Sequence, residues 1–401
     1  METTKGNPDI CIRCATCMAI CPVSRVSPAF PGPKQAGPGA ERFRNPKDAS
    51  VDDWTELCIG CHLCETVCSS GVGISEMNLL AKAKYLDEKG RSFRDWLLTH
   101  LHRFDPLASR LAALVNPLLK SRPLRWLLDR FLGIDQRREL PRYEYPSFRQ
   151  WFRRRQSLKG RKVAYFYGCY TNVHDVDVGK AVVEVLEALG WEVVIPPQDC
   201  CGIPRLGNGD FPGAIKLGTT NISSFQGVIG QGMDIIFSSS SCGLMIRHEY
   251  GRFLALPGAG EVAARIFDLF EFLNKEAQGK TLAERLSPLP GKVAYFAPCH
   301  LRALDISLPA LEFLRLIPQL EVELIKADCC GLAGAFGFKK EKYDISQAIG
   351  ADLALAIRDI NPDLVLSDCE GCRMQIHHLT GLPVTHPIQL LRDSLKGGHI
   401  S

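Results

Sequence analysis

Two short runs of cysteine constrain this chain more than anything else in it. Cys11-x2-Cys14-x2-Cys17-x3-Cys21 is followed by Cys58-x2-Cys61-x2-Cys64-x3-Cys68. This spacing suits cubane iron–sulfur clusters: three closely spaced thiolates wrap one cluster, and the fourth, distant one reaches the other. The spacing therefore assigns Cys11, Cys14, Cys17 and Cys68 to one [4Fe–4S] cluster, and Cys58, Cys61, Cys64 and Cys21 to a second. Ser69 stands where the motif often carries proline, a residue that shapes the turn and is not a ligand. Zinc is the competing reading, but it normally takes two separated Cys-x2–4-Cys pairs. A Pro- and Gly-rich stretch, SPAFPGPKQAGPGAERFR, separates the runs, so residues 1–90 read as a ferredoxin-like α-helical domain of the two-cluster bacterial type, carrying an insertion. Paired clusters at short range make a wire for single electrons and imply a donor and an acceptor elsewhere.

The chain has 401 residues and 17 cysteines. Disulfide-dense scaffolds are usually short and secreted, whereas clustered cysteines in a long chain read as metal ligands. The first residues, METTKGNPDI, are polar and carry no secretory signal. No apolar run approaches the roughly 18 residues needed to cross a bilayer. The expectation is a cytoplasmic protein, peripheral if it meets a membrane at all.

Charge is unevenly placed. Residues 91–159 hold 16 Lys and Arg against 6 Asp and Glu, although the whole chain is only +4. The segment reads as helical, with breaks expected near Pro106, Pro117 and Pro123. Phe93, Trp96, Leu97, Leu101 and Phe104 fall on one helical face. Leu111, Leu114, Val115, Leu118 and Leu119 make a second stripe, and Trp126, Leu127, Phe131 and Leu132 a third. Apolar stripes flanked by arginine suit a helix lying on an anionic membrane surface, with Arg153, Arg154 and Arg155 adding charge. The competing reading packs the stripes on the protein's own core. Nucleic acid is disfavoured, because no base-reading module is present.

The second half repeats itself. KVAYFYGCYTN at 162–172 aligns with KVAYFAPCHLR at 292–302, and DCCGIP at 199–204 with DCCGLA at 328–333. DIIFSSSSCG at 234–243 resembles DLVLSDCEGC at 363–372. The duplication defines two α/β modules, 161–280 and 290–401, in which strands alternate with helices and imply a largely parallel sheet. Every cysteine of the modules falls at a strand end, and loops at one edge of a parallel sheet converge on one site. Module two offers Cys299, Cys329, Cys330, Cys369 and Cys372; module one offers Cys169, Cys200, Cys201 and Cys242, with Ser239 where module two has Cys369. Five thiols suggest a larger or distorted iron–sulfur centre, four suffice for zinc or a cubane, and Ser239 leaves module one's occupancy open. His300, beside Cys299, is a candidate proton donor or a hydrogen-bonded core histidine. His377 and His378 read as surface residues of a helix.

Two cubane motifs followed by two CCG modules resemble a known family. It contains the iron–sulfur subunit of glycolate oxidase, the D subunit of heterodisulfide reductase and the C subunit of anaerobic glycerol-3-phosphate dehydrogenase. CPVSRVSPAFPGPKQAGP at 21–38, DQRRELPRY at 135–143, CCGLAGAFGFKKEKYDISQAIGA at 329–351 and HPIQLL at 386–391 carry the resemblance. The last-named branch is nearest. The resemblance implies a non-catalytic redox subunit that takes electrons from flavin-containing dehydrogenase subunits and passes them to the quinone pool at the cytoplasmic face of the inner membrane. It also implies a noncubane [4Fe–4S] centre on the five cysteines of module two. No G-x-G-x-x-G or Walker loop follows a strand, which places flavin chemistry on a partner. The alternatives are the equivalent subunit of a glycolate or lactate oxidase, a disulfide or thiol reductase working at the five-cysteine centre, and a module that holds zinc at both CCG sites.

Overall fold

A computed structural model describes residues 7–156 and 159–398. Two four-stranded sheets organise it, and every strand pair in them is parallel. The first sheet holds β1 (Arg161–Phe166), β2 (Trp191–Val194), β3 (Asp234–Phe237) and β4 (Ile266–Asp268), in the order β2-β1-β3-β4. The second holds β5 (Gly291–Tyr295), β6 (Leu320–Leu324), β7 (Leu364–Leu366) and β8 (Val384–Thr385), in the equivalent order β6-β5-β7-β8. The central strands are continuous apolar runs because helices cover both faces: Val163 to Phe166, Ile235 to Phe237 and Val293 to Tyr295 are buried. The fourth strand of each sheet has no counterpart in the sequence reading. Each is only two or three residues long and is recruited by its neighbour's ladder rather than by a pattern of its own.

The two modules clasp each other. Helix Pro387–Leu395, which ends module two, packs on helix Val176–Ala188 of module one. Arg392 meets Asp177 at 2.7 Å, and Lys396 meets Glu184 at 2.7 Å. Reciprocally, helix Leu269–Lys275, which follows β4, packs on Pro309–Leu314 of module two. Both exchanged helices begin with a capping box, at Asp268 and at His386. One apolar core therefore runs through both modules, from Phe148 and Val163 to Ile388 and Leu391.

The N-terminal region has no strand among its described residues, and only a small cluster, Cys17, Val72, Ile74 and Met77, packs within it alone. Cys21, Val23, Phe30 and Leu57 pack with Cys329, Phe336 and Ile349 of module two, and Leu79 joins the core of module one.

The basic middle is helical over Phe93–Arg110, Ala112–Lys120 and Arg122–Leu127. Pro106 and Pro117 lie inside helices rather than ending them, which corrects the expected breaks. The chain turns at Leu111 and at Ser121 instead, and Pro123 sits in the first turn of its helix, where no N–H is missed.

The apolar stripes face outward. Phe93 (63%), Leu107 (62%), Leu114 (67%) and Phe131 (72%) are well exposed, while Asp95, Thr99, His100, Asp105 and Ser109 on the opposite face of the first helix are buried. That polar face docks on the protein by ion pairs: Lys339 with Asp95 at 2.9 Å and Arg94 with Glu341 at 2.7 Å. The reading that packs the stripes on the protein's own core is overturned for these residues. Arg155 is engaged by Glu187 and stacks over Trp151, so it belongs to module one's packing and not to a free basic patch.

The segment DQRRELPRY acts as a strap. Ile134 bridges Lys339, and the Asp135 amide donates to the Phe338 carbonyl at 2.9 Å. Arg138, only 2% exposed, donates to the Gly337 carbonyl at 3.1 Å and to Gln375. Arg138→Ala is expected to leave those acceptors buried and unpaired and to cost about 3 kcal/mol. Chemical denaturation checks this; a loss under about 1 kcal/mol would mean the strap is held elsewhere.

Candidate metal centres

The same local backbone geometry recurs in both cubane motifs. Arg13 (φ 61°) and Ala15 (φ 64°) flank Cys14, and Gly60 (φ 63°) and His62 (φ 60°) flank Cys61 in the same positions. Left-handed conformation costs a non-glycine residue roughly 1–2 kcal/mol. Its recurrence at matching positions shows that the loops are shaped for the cysteines and not for the backbone.

Cys11, Cys14, Cys17 and Cys68 line one small cavity. Burial raises the Cys17 thiol, and Cys11, Cys68 and Cys14 raise it further. Donors aim at these sulfurs: the Thr16 hydroxyl reaches Cys14 Sγ and the Val72 amide reaches Cys68 Sγ, each at 3.4 Å. Cys21 sits instead beside Cys58 and Cys61, with Cys64 next to them. Burial is the first cause that raises each of the Cys58, Cys61 and Cys64 thiols. Lys82, which the sequence reading missed, is buried there; its Nζ donates to the Cys58 carbonyl at 2.6 Å and to the Gly207 carbonyl at 3.3 Å. Burial brings its pKa down to about 8. It ties this loop to module one.

The cysteines of each module gather beyond the C-terminal edge of its sheet. In module two, Cys372 Sγ lies 3.3 Å from Cys330 Sγ, and Cys329 contacts both Cys299 and Cys330. Cys369 contacts Cys372. Gly331 makes the vicinal pair possible: it has φ 90°, and a Cβ there would lie 2.2 Å from the Ser346 carbonyl oxygen. Gly331→Ala is expected to displace the Cys329–Cys330 loop, with loss of about 3 kcal/mol or more. Thermal unfolding of the purified chain checks this, and an unchanged Tm would refute it.

In module one, Cys169 Sγ lies 3.9 Å from Cys200 Sγ, and Cys201 contacts Cys200 and Cys242. Gly202 repeats the left-handed turn at φ 93°. Ser239 is occupied otherwise. Its hydroxyl accepts from the Cys242 amide at 3.4 Å and donates to Glu370 of module two at 2.9 Å.

His300 is half-buried, and desolvation brings its pKa down to about 4. Its ring is bonded on both sides, at 3.0 Å to Ser241 Oγ and at 3.2 Å to the Gly60 carbonyl. It stitches the second cubane loop to both modules. His377 is exposed, while His378 is half-buried and bonded to the Tyr343 hydroxyl at 2.9 Å.

A cavity of about 350 Å³ joins these groups. Cys58 and Cys61, Cys169 and Cys200, and all five cysteines of module two line it. Hydrogen-bond donors sit on these sulfurs: the Gly331 amide reaches Cys329 Sγ at 3.4 Å. Among the described residues, no three or more His, Cys, Asp or Glu side chains converge as they would on a single metal ion. Nine thiols around one cavity fit polynuclear iron–sulfur clusters, whose potentials such hydrogen bonds tune.

These features define a class, a dicluster iron–sulfur segment joined to paired cysteine-rich domains. Residues 8–72 match the 4Fe-4S dicluster domain, and residues 163–247 and 293–377 match the cysteine-rich domain CCG. The C subunit of anaerobic glycerol-3-phosphate dehydrogenase from Escherichia coli K12 is 41% identical over 395 residues, spanning 96% of this chain and 98% of that one. The B subunit of fumarate reductase (CoM/CoB) from Methanothermobacter marburgensis is 26% identical, over 91% of this chain and 67% of its own. A probable glycolate oxidase iron-sulfur subunit of Bacillus subtilis is 25% identical, over 91% and 87%. The chain belongs to the family of the iron–sulfur C subunit of anaerobic glycerol-3-phosphate dehydrogenase.

Proposed function

We propose that the chain is a non-catalytic redox subunit that carries electrons from flavin-containing dehydrogenase subunits oxidising glycerol 3-phosphate to a quinone at the cytoplasmic face of the inner membrane. One observation carries the reading. Cys61 of the second cubane loop faces Cys329 and Cys299 of module two across a single cavity, so the two thiol sets are placed for an electron to step between them. The identity of the donor rests on the relative from E. coli.

In this reading Cys11, Cys14, Cys17 and Cys68 hold one cubane, and Cys58, Cys61, Cys64 and Cys21 the second. Cys299, Cys329, Cys330, Cys369 and Cys372 hold a third, noncubane centre. Bound clusters supply one-electron steps; the chain's own groups shield the sulfurs and donate hydrogen bonds to them. Module one has four thiols and a serine already engaged by Glu370, and we assign it no cluster.

No helix among the described residues is long and apolar enough to cross a membrane. The outward stripes of residues 93–131, with exposed Arg103, Arg110, Arg122 and Arg130 beside them, suit peripheral attachment to an anionic surface.

Iron and acid-labile sulfide on protein purified without oxygen test the cluster assignment. About 12 irons per chain are expected, four for each cluster. About 8, with zinc in the same assay, would overturn the third centre. About 16 would show that module one is metallated despite Ser239.

A further inference from the structure

The large cavity does not end at the thiols. Its outer part is walled by Leu98 and Leu101 of helix Phe93–Arg110, by Leu140 and Pro141 of the strap, and by Ile203 of module one. Leu101 lines the cavity and is also exposed at the surface, so the interior wall continues into the outward apolar stripe. Leu101 thus gives a molecule dissolved in a lipid layer against that stripe an apolar point of entry.

The apolar wall carries a small polar group. Asp105 and His174 both line it, and Asp105 is buried. The Tyr143 hydroxyl donates to Asp105 Oδ1 at 3.0 Å, and His174 Nε2 lies 4.0 Å from the same oxygen. The His174 Nδ1–H donates to the Arg142 carbonyl at 2.8 Å. Burial lifts the Asp105 carboxyl to about 6 and brings His174 down to about 4. No ion pair with Lys or Arg within 4 Å is found for Asp105 among the described residues. A buried carboxyl that one tyrosine hydroxyl holds and no Lys or Arg pairs, set in the wall of an apolar hole, is a hydrogen-bonding anchor for a bound molecule.

We propose that this outer cavity is the quinone site: the ring of a membrane-dissolved quinone lies between helix Phe93–Arg110 and module one, its isoprenoid tail leaves past Leu101, and the O–H of the protonated Asp105 carboxyl donates to one carbonyl oxygen. The inference rests on the reading of the chain as a quinone-reducing subunit and gives that activity a place. In each turnover two electrons arrive singly from reduced iron–sulfur clusters. Two protons from solvent water add to the two carbonyl oxygens, forming two O–H bonds, and the product is the quinol.

The probe is an azido-naphthoquinone photolabel, applied to the full chain with its clusters in place and mapped by peptide mass. Label is expected on 93–110 and 203–207. Leu98→Trp and Ile203→Trp, each filling the cavity from a different wall, should cut labelling about tenfold or more with iron content unchanged. Asp105→Leu should weaken it about tenfold, and Asp105→Asn, which keeps a donor, should restore most of it. Label elsewhere, or label indifferent to both tryptophan variants, would overturn the site. Electron transfer from the dithionite-reduced chain to menadione is measured alongside. Its absence together with labelled cavity peptides would sink the activity and leave the binding site standing; its presence with label elsewhere would sink the site alone.

Discussion

Cys14→Ala is expected to remove about four irons per chain and to stop electron flow from flavin to quinone, while the rest of the molecule stays folded. The choice of residue matters because the N-terminal region shares its cores with both modules. Cys21 packs with Cys329 and Phe336, so its replacement would confuse loss of a ligand with loss of packing. Cys17 is buried with Val72, Ile74 and Met77 and has the same defect. Cys14 is exposed and belongs to none of the buried apolar clusters. Its removal takes one thiolate from the first cavity and little else. Iron and sulfide analysis, circular dichroism and quinone reduction with the flavin partner are read together. Quinone reduction that survives at the wild-type rate would show that the first four-thiol set lies off the electron path, and the wire would have to begin at the second.

The cysteine pattern was open to reading from the sequence because its spacing is local. The crosswise assignment of Cys21 and Cys68 comes from the motif spacing, and the structure sets Cys68 in the cavity of Cys11, Cys14 and Cys17 and Cys21 beside Cys58 and Cys61; the strand-end placement follows from the alternation of apolar runs with helices. What stayed hidden depends on partners remote in sequence. Arg138 is one more arginine in a basic run until Gly337 and Gln375 enclose it. Lys82 is an ordinary helical lysine until the Cys58 and Gly207 carbonyls converge on it. Ser239 marks a missing thiol in the alignment, but only the clasped modules bring Glu370 to its hydroxyl. Pro106 and Pro117 predict breaks from local sterics, yet the helices carry through them: Lys339 holds the first helix at Asp95, and Asn116 of the second exchanges hydrogen bonds with the backbone of Tyr143. The period of 3.6 reveals a stripe on residues 93–104 but not which side of the helix the protein takes. Here it takes the polar side.

That inversion sets up the second large effect. Leu107→Ser combined with Phe131→Ser is expected to lower partitioning onto anionic vesicles about 100-fold, because each exposed side chain contributes about 1.5 kcal/mol or more when an apolar phase receives it. Folding stability should hold, since both residues are largely in solvent already, at 62% and 72% exposure. The same substitutions in a helix packed stripe-inward would cost about 2–5 kcal/mol each, so the two readings of the stripe part company in one denaturation experiment. Salt separates the charge contribution from the apolar one. At about 1 M salt the screening length falls to about 3 Å, and attraction of Arg103, Arg110, Arg122 and Arg130 to lipid phosphate is largely lost. The wild-type chain should then keep a salt-resistant fraction of its binding, and the double variant should keep almost none. Partitioning that is unchanged in the variant at both salt concentrations would mean that the outward stripe meets no membrane. It would then be a surface for a protein partner, and the flavin subunits would be the first to test by co-purification with the same variant.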